Sequence, residues 1–177
     1  MKKNLILGIL VIVVMVLVIG ELGFTSSNSS INTNTTYNDG SIMFSYPSNM
    51  TQPTYNATNN TNSSNIWNYT ILTDNTTNML LGKTSEIPSP QISSIIMCTY
   101  LQTGYGELIS NVTVVTNPNG VQVYKYEYES NNTNVIYYYM DFANKDNTTV
   151  YDISIYGNDT SQSQKIANQI FNSIKQS

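Results

Sequence analysis

The chain has 177 residues, of which 66 are Asn, Ser or Thr and only 10% are charged, against about 25% in an ordinary domain. It contains no His, no Arg and a single Cys. These absences exclude an imidazole-based catalytic unit, a His-ligated metal, a cysteine-cluster site and an internal disulfide. The net charge of -4 disfavours binding to nucleic acid.

The N-terminus carries a membrane-insertion signal. Two lysines precede an uncharged apolar run from Leu5 to Gly20, and Glu21 follows it. A span needs about 20 residues, which the segment from Leu5 to Phe24 supplies when Glu21 lies at the far interface. The lysines orient the N-terminus toward the cytoplasm. We therefore predict a membrane anchor over residues 1–24, with a cleaved signal peptide as the alternative, and an extracytoplasmic location for the rest.

Composition divides the remaining chain into a tether and a folded body. Residues 25–36 contain one apolar residue in twelve and cannot bury enough surface to offset the entropy of ordering, which predicts a flexible tether. Residues 37–177 hold enough apolar and aromatic side chains for one domain. Within this body, the polar run over residues 56–65 predicts a surface loop.

The first half of the body is predicted to form strands and one helix. Strands are expected over residues 41–46 (ended by Pro47), 66–73, 79–84 and 109–116, from their β-branched and alternating residues. Ser89 and Pro90 predict a helix start. Its predicted apolar stripe consists of Ile92, Ile95 and Ile96, followed by Thr99. Gly104 is the predicted stop.

The second half is predicted to form an antiparallel meander and a final helix. The turn sequence Asn117–Gly120 precedes three strands over residues 121–130, 135–142 and 148–156, separated by hairpin-sized connections. The first of these strands places three tyrosines on one face and Lys125, Glu127 and Glu129 on the other. A helix capped by Asp159 or Thr160 is expected to run to Lys175, with an apolar stripe formed by Ile166, Ala167, Ile170, Phe171 and Ile174. The predicted class is α+β, an antiparallel sheet flanked by helices.

Four segments carry a family resemblance: SIMFSYPSNM, IWNYTILTD, the meander KYEYES…VIYYYMDFANKDNTTVYDISIYG, and ANQIFNSIK. They resemble the PsbP-like family, and within it the short, membrane-anchored prokaryotic "PsbP-related" branch, over about residues 37–175. The resemblance implies an α/β/α sandwich with a central antiparallel sheet. It implies little about function, and the family's His-based metal sites cannot transfer to a chain without His.

Asn-x-Ser/Thr sequons occur twelve times, about twice as often as composition alone would give. They are consistent with N-glycosylation outside the cytoplasm or with a chain so rich in these residues that sequons arise by chance. We predict modification in the tether and polar loop rather than at Asn68 or Asn111, which are predicted to lie in strands. The predicted sites are Asn28, Asn34, Asn56, Asn59 and Asn62.

Other candidate groups indicate structural roles. Asp141, Asn144, Asp146 and Asn147 offer oxygen ligands near one predicted turn, but they lack calcium-loop spacing and are predicted to be solvated. Cys98 lies in an apolar helical segment without a flanking cation, which predicts a buried, inert thiol. The tyrosine alternation predicts the packed face of a sheet. Of the run Tyr137–Tyr139, at least one ring is expected to face away from the core.

These features favour a membrane-tethered extracytoplasmic domain of non-enzymatic binding or accessory type, with no cofactor, metal or catalytic residue. Its expected partners are the membrane and a protein or polymer of the cell envelope. One alternative is an accessory subunit of an integral membrane complex. Another is a carboxylate-dependent hydrolase acting on envelope polysaccharide, which two facing acids with displaced pKa values in a pocket would favour.

Overall fold

The computed structural model describes residues 33–52 and 66–177, which form two helices and ten strands. The helices are α1 (Pro90–Leu101) and α2 (Thr160–Ser173). The strands are β1 (Asn34–Asn38), β2 (Ile42–Pro47), β3 (Asn68–Thr73), β4 (Thr77–Thr84), β5 (Gly106–Leu108), β6 (Thr113–Thr116), β7 (Gln122–Ser130), β8 (Ile136–Ala143), β9 (Val150–Gly157) and β10 (Lys175–Gln176).

An antiparallel seven-stranded sheet forms the centre of the fold. Its order is β3-β4-β9-β8-β7, and both β5 and β6 pair with the outer edge of β7. A smaller antiparallel sheet has the order β1-β2-β10. Helix α1 covers one face of the large sheet, whereas α2 and the small sheet cover the other. The predicted α+β class and the β7-β8-β9 meander are confirmed.

The membrane anchor predicted over residues 1–24 lies outside the described residues. Within the part that the structure describes, neither helix has the length and apolar character to cross a bilayer. Strand β1 begins at Asn34, so the folded body starts before the predicted end of the tether. The polar loop predicted over residues 56–65 also lies outside the described residues.

The two faces of the large sheet have different cores. On the α2 side, the core is mainly aliphatic and includes Met140, Ile153, Ile155, Ile166 and Ile170. On the α1 side, it is mainly aromatic and includes Tyr126, Tyr128, Tyr137, Tyr139 and Tyr156. Because both faces are covered, Tyr138 is buried on the opposite face from its two neighbours. The prediction that one ring of the run Tyr137–Tyr139 faces away from the core is therefore wrong.

Helix α2 largely follows its predicted pattern. Asp159 is the N-cap, since its side chain accepts a hydrogen bond of 3.0 Å from the backbone N–H of Gln162. Ile166, Ala167 and Ile170 are buried. The helix ends at Ser173 rather than at Lys175, which lies in β10 and pairs with β2. The edge of the small sheet thus takes up residues that the periodicity assigned to the helix.

Two predicted features of the first half are wrong. The strand expected over residues 109–116 is only β6, whose four residues are all exposed. Ile109 and Ser110 bond to Glu127 of β7 outside a regular strand. Helix α1 starts as predicted at Pro90 with Ser89 as its N-cap. Its buried residues, however, are Ser93, Ser94, Met97, Cys98 and Leu101. Ile92 and Ile95 are 40% and 51% exposed, so the helix is rotated away from its predicted apolar stripe.

The predicted turn at Asn117–Gly120 joins β6 to β7 and also contacts the C-terminal end of α2. Gly120 has a φ of +83°, which favours glycine. The buried Asn117 amide donates hydrogen bonds of 2.9 Å to the carbonyl of Phe171 and 2.8 Å to that of Ile174. Its Oδ1 accepts from the N–H groups of Asn119 and Val121. One side chain therefore satisfies the C-terminal carbonyls of a helix and closes a turn.

We expect the substitution Asn117→Ala to lower the free energy of unfolding by about 2–4 kcal/mol, because it leaves several buried backbone groups without partners. Asn119→Ala is the matched control, since that exposed amide bonds the neighbouring carbonyls of Asn172 and Ile174, and it should cost about 1 kcal/mol or less. Urea denaturation measures both. Equal losses would contradict the role assigned to Asn117.

Candidate functional site

Two aspartates face each other at the centre of the large sheet. Asp141 of β8 and Asp152 of β9 are directly opposed in register. They are 0% and 3% exposed, and both lie on the face that α1 covers. Gly82 of β4 stands opposite Asp152 on its other side. A Cβ atom at Gly82 would lie 2.8 Å from the ring of Tyr69, so the missing side chain admits this ring beside the acids.

This burial corrects the prediction that the acids near the turn are solvated. Asp141 lies within β8, and Asn144 is also buried, with its side chain bonded to residues of the turn. Asp146 and Asn147 are exposed as predicted. Within residues 33–52 and 66–177, no group of three or more Cys, Asp or Glu residues is arranged to hold a metal ion.

Helix α1 supplies a partner for Asp141. The Ser93 hydroxyl donates a hydrogen bond of 2.6 Å to Asp141 Oδ1, and both residues are buried. A buried carboxyl group without a donor is strongly disfavoured. This bond favours the inward position of Ser93, and Met97, Cys98 and Leu101 supply apolar contacts on the same side of α1.

The environment of the pair favours its protonated form. Burial raises the pKa of Asp141 to about 7, although the hydrogen bond from Ser93 opposes the rise. Burial raises the pKa of Asp152 well above its ordinary value, and the adjacent Asp141 raises it further. In the described part of the chain, the one ion pair joins Lys83 to Asp39, so no lysine there neutralises the acids.

A proton shared between the two carboxyl groups satisfies their need for a hydrogen-bond donor. Among the described residues, Asp141 Oδ2 and Asp152 Oδ2 have no hydrogen-bond donor when both groups are ionised. The two carboxyl groups are close enough to hydrogen-bond each other. One retained proton therefore provides the missing donor, as in other closely opposed carboxyl pairs. The pair behaves as one titrating unit.

The surroundings of the pair contain weak acids only. Three tyrosines from different strands face the pair: Tyr69, Tyr126 and Tyr139. Burial raises the pKa of each hydroxyl, and the nearby aspartates raise it further. Burial, with a further contribution from Asp141, raises the pKa of Cys98 to about 11. Cys98 is thus buried and poorly nucleophilic, in agreement with the prediction of an inert thiol.

The pair does not have the geometry of a glycoside hydrolase. Such enzymes place their two carboxyl groups on either side of a bound sugar, whereas Asp141 and Asp152 are buried beneath α1. Two grooves among the described residues, one lined by Lys125 and the other by Lys175, contain neither Asp141 nor Asp152. Sequence reasoning missed the pair because it assigned Asp141 to the end of its strand and Asp152 to a polar face.

The predicted modification sites are only partly described. Asn28, Asn56, Asn59 and Asn62 lie outside the described residues. Asn34 is exposed in β1, and its Oδ1 accepts a hydrogen bond of 3.1 Å from Gln169. Asn68 and Asn111, which had been disfavoured as strand residues, are both exposed, and Asn111 lies in the connection between β5 and β6. Glycosylation at any of these positions stays a prediction.

No protein-family model and no curated protein sequence matches the chain. Among solved structures, the chain is similar to LpqN of Mycobacterium tuberculosis, described as involved in cell envelope biogenesis. The similarity has a TM-score of 0.43 and 12% identity, over 81% of this chain and 90% of that one. At these values the likeness transfers neither a fold family nor a function. The resemblance to the PsbP-like family is not confirmed.

The acid pair predicts that the folded state becomes less stable as the pH rises. The folded-state pKa of Asp141, about 7, lies above the unfolded value of about 3.9. The protonated carboxyl group therefore contributes fully to the free energy of unfolding below about pH 4, and this contribution is lost as the pH rises through about 7. Since one pKa unit is worth about 1.4 kcal/mol, the loss is on the order of 4 kcal/mol. Urea denaturation between pH 4.5 and 8.5 measures it.

The matched variants for this titration are D141N/D152N, which keeps two neutral side chains, and D146N in the exposed turn. We expect D141N/D152N to lose the decline in stability with pH and D146N to keep it. An unchanged decline in D141N/D152N would show that other groups cause the pH dependence.

Ser93→Ala should lower the free energy of unfolding by about 1–3 kcal/mol, because it removes the hydroxyl that donates to Asp141. Ser94→Ala is the neighbouring control: that hydroxyl donates to the backbone carbonyl of Gln91 on its own helix, so the loss should be below about 1 kcal/mol. Thermal denaturation at pH 8 compares the two variants. Equal destabilisation would refute a specific link from α1 to the acid pair.

Proposed function

We propose that this chain is a membrane-tethered, extracytoplasmic domain that binds a protein of the cell envelope without catalysing a reaction. The observation that carries the proposal is the outward face of α1, where Ile92 and Ile95 are exposed. We call this surface, formed by Gln91, Ile92, Ile95, Ile96 and Thr99, the α1 face. The uncharged apolar run from Leu5 to Gly20, with two lysines before it, supports the location.

The chemistry of the α1 face favours a protein partner. It contains aliphatic and uncharged polar side chains and no charged residue. Docking on an anionic membrane surface depends on lysine or arginine, and a polysaccharide would find no aromatic ring among the residues of this face. An apolar, uncharged patch on another protein fits the face, because exposed aliphatic groups gain from burial at an interface.

The accessory-subunit alternative uses the same face and differs only in the partner, which would be an integral membrane complex. The hydrolase alternative has less support. It needs the two facing acids to reach a substrate, and Asp141 and Asp152 are buried under α1. The absence of His and Arg from the chain also supports a non-enzymatic role.

The substitution pair I92D/I95D tests the proposal, because two charges on the α1 face oppose burial against an apolar partner. We expect the full-length protein, extracted from its own membranes in mild detergent, to migrate as a complex larger than the purified chain. I92D/I95D should reduce it to the size of the purified chain. The readout is blue native electrophoresis with an antibody to the chain.

The control variant I109D/V114D charges two other exposed apolar residues and should leave the complex intact. A complex that survives I92D/I95D would contradict the assignment of the α1 face. If the purified wild-type chain alone forms a species of the same size, the partner is a second copy and the proposed envelope protein is wrong. A partner that is an integral membrane complex would support the accessory-subunit alternative.

A further inference from the structure

A groove of about 210 Å³ lies on the α2 side of the large sheet, away from the acid pair. Its floor is formed by β7 and β8, one wall by the β6 edge and the other by the middle of α2. We call it the β7–α2 groove; its lining includes Thr113, Val115, Lys125, Glu127, Met140 and Gln164. It is smaller than the roughly 300–1,000 Å³ of pockets for drug-sized molecules, so it suits a small ligand.

Two opposite charges share the floor of this groove without pairing. Lys125 and Glu127 are two positions apart on β7 and lie on the same face of the sheet. They are close enough for Glu127 to favour the charged form of Lys125. Yet within the described residues the only ion pair is Lys83–Asp39, so the carboxylate and the ammonium group do not contact each other.

The two charged residues have different neighbours in the fold. The Lys125 Nζ lies 4.5 Å from the centre of the Phe171 ring on α2, a cation–π contact that draws the ammonium group toward the helix. The Glu127 carboxylate faces Tyr138 on the neighbouring strand, where its charge contributes to raising the pKa of the hydroxyl. Burial lowers the pKa of Lys125, which means that the ammonium group is partly desolvated and gains from a carboxylate partner.

From this arrangement, we propose that the β7–α2 groove binds a small zwitterion of the α-amino-acid class. Lys125 contacts the ligand carboxylate and Glu127 contacts the ligand ammonium group. A simple anion or cation would leave one of the two protein charges uncompensated, and a neutral sugar would leave both. The groove offers an apolar lining for the aliphatic side chain of the ligand, formed by Val115, Met140 and Ala167. The side-chain amides of Gln164 and Asn168 can bond to the ligand's carboxylate or ammonium group. This site is separate from the α1 face and goes beyond the proposed function.

Isothermal titration of the full-length chain in detergent micelles with L-leucine tests the proposal. Two matched ligands each lack one charge: N-acetyl-L-leucine has no ammonium group and L-leucinamide has no carboxylate. We expect a dissociation constant of about 1 mM or tighter for L-leucine and at least tenfold weaker binding for each blocked ligand. Absence of L-leucine binding, or equal binding of either blocked ligand, would overturn the proposal.

Substitutions of the two charged groove residues test whether L-leucine binds in the β7–α2 groove. Lys125→Met and Glu127→Gln should each weaken L-leucine binding at least tenfold. The controls Lys165→Met on α2 and Glu129→Gln on β7 change exposed residues outside the groove lining and should leave it unchanged. Unaltered binding in K125M or E127Q would also overturn the proposal. If one of these variants fails to fold, the three-ligand comparison on the wild-type chain still decides. I92D/I95D should bind L-leucine normally, which separates this test from that of the α1 face.

Discussion

The requirement to satisfy two buried carboxyl groups determines how the α1 side of this fold is assembled. Asp141 and Asp152 are opposed in the middle of the sheet, and the Ser93 hydroxyl reaches Asp141 from the helix above. Because a buried carboxyl group without a donor is disfavoured, the acid favours the orientation in which Ser93, together with Met97, Cys98 and Leu101, faces the sheet. The isoleucines of α1 then face outward. The surface to which we assign partner binding is thus a consequence of an interaction in the core.

The two faces of the large sheet bury different kinds of side chain. The α2 face buries aliphatic side chains against a helix with a regular apolar stripe, as in most α+β domains. The side of the sheet that α1 covers buries polar rings, which stack on one another. The ring centroids of Tyr137 and Tyr156 are 4.5 Å apart, and those of Tyr126 and Tyr139 are 4.9 Å apart. The chain has seven lysines and no arginine, and the polar groups on this side of the described core include phenols and acids without a basic partner.

Local signals in the sequence predicted much of the fold. Ser89, Asp159 and the turn from Asn117 to Gly120 act through hydrogen bonds to nearby backbone groups, and each was predicted in its place. Features that depend on tertiary contacts were not. A period-two strand shows that Asp152 and Ser154 share a face, but it does not show whether a helix covers that face. The spacing of Ile92 and Ile95 likewise predicts an apolar stripe, yet the carboxyl group of Asp141, 46 residues after Ile95, favours burial of another side of α1.

The central claim is that Asp141 and Asp152 retain protons that ordinary carboxyl groups lose. Carbon-detected NMR of the full-length chain, labelled with 13C at the aspartate carboxyl groups, measures this directly through a titration from pH 3 to pH 9. Burial and the opposition of the two acids predict that the resonances of Asp141 and Asp152 move only near neutral pH or above. If all aspartate resonances completed their titration below about pH 5, the buried pair would be ionised and the account would be contradicted.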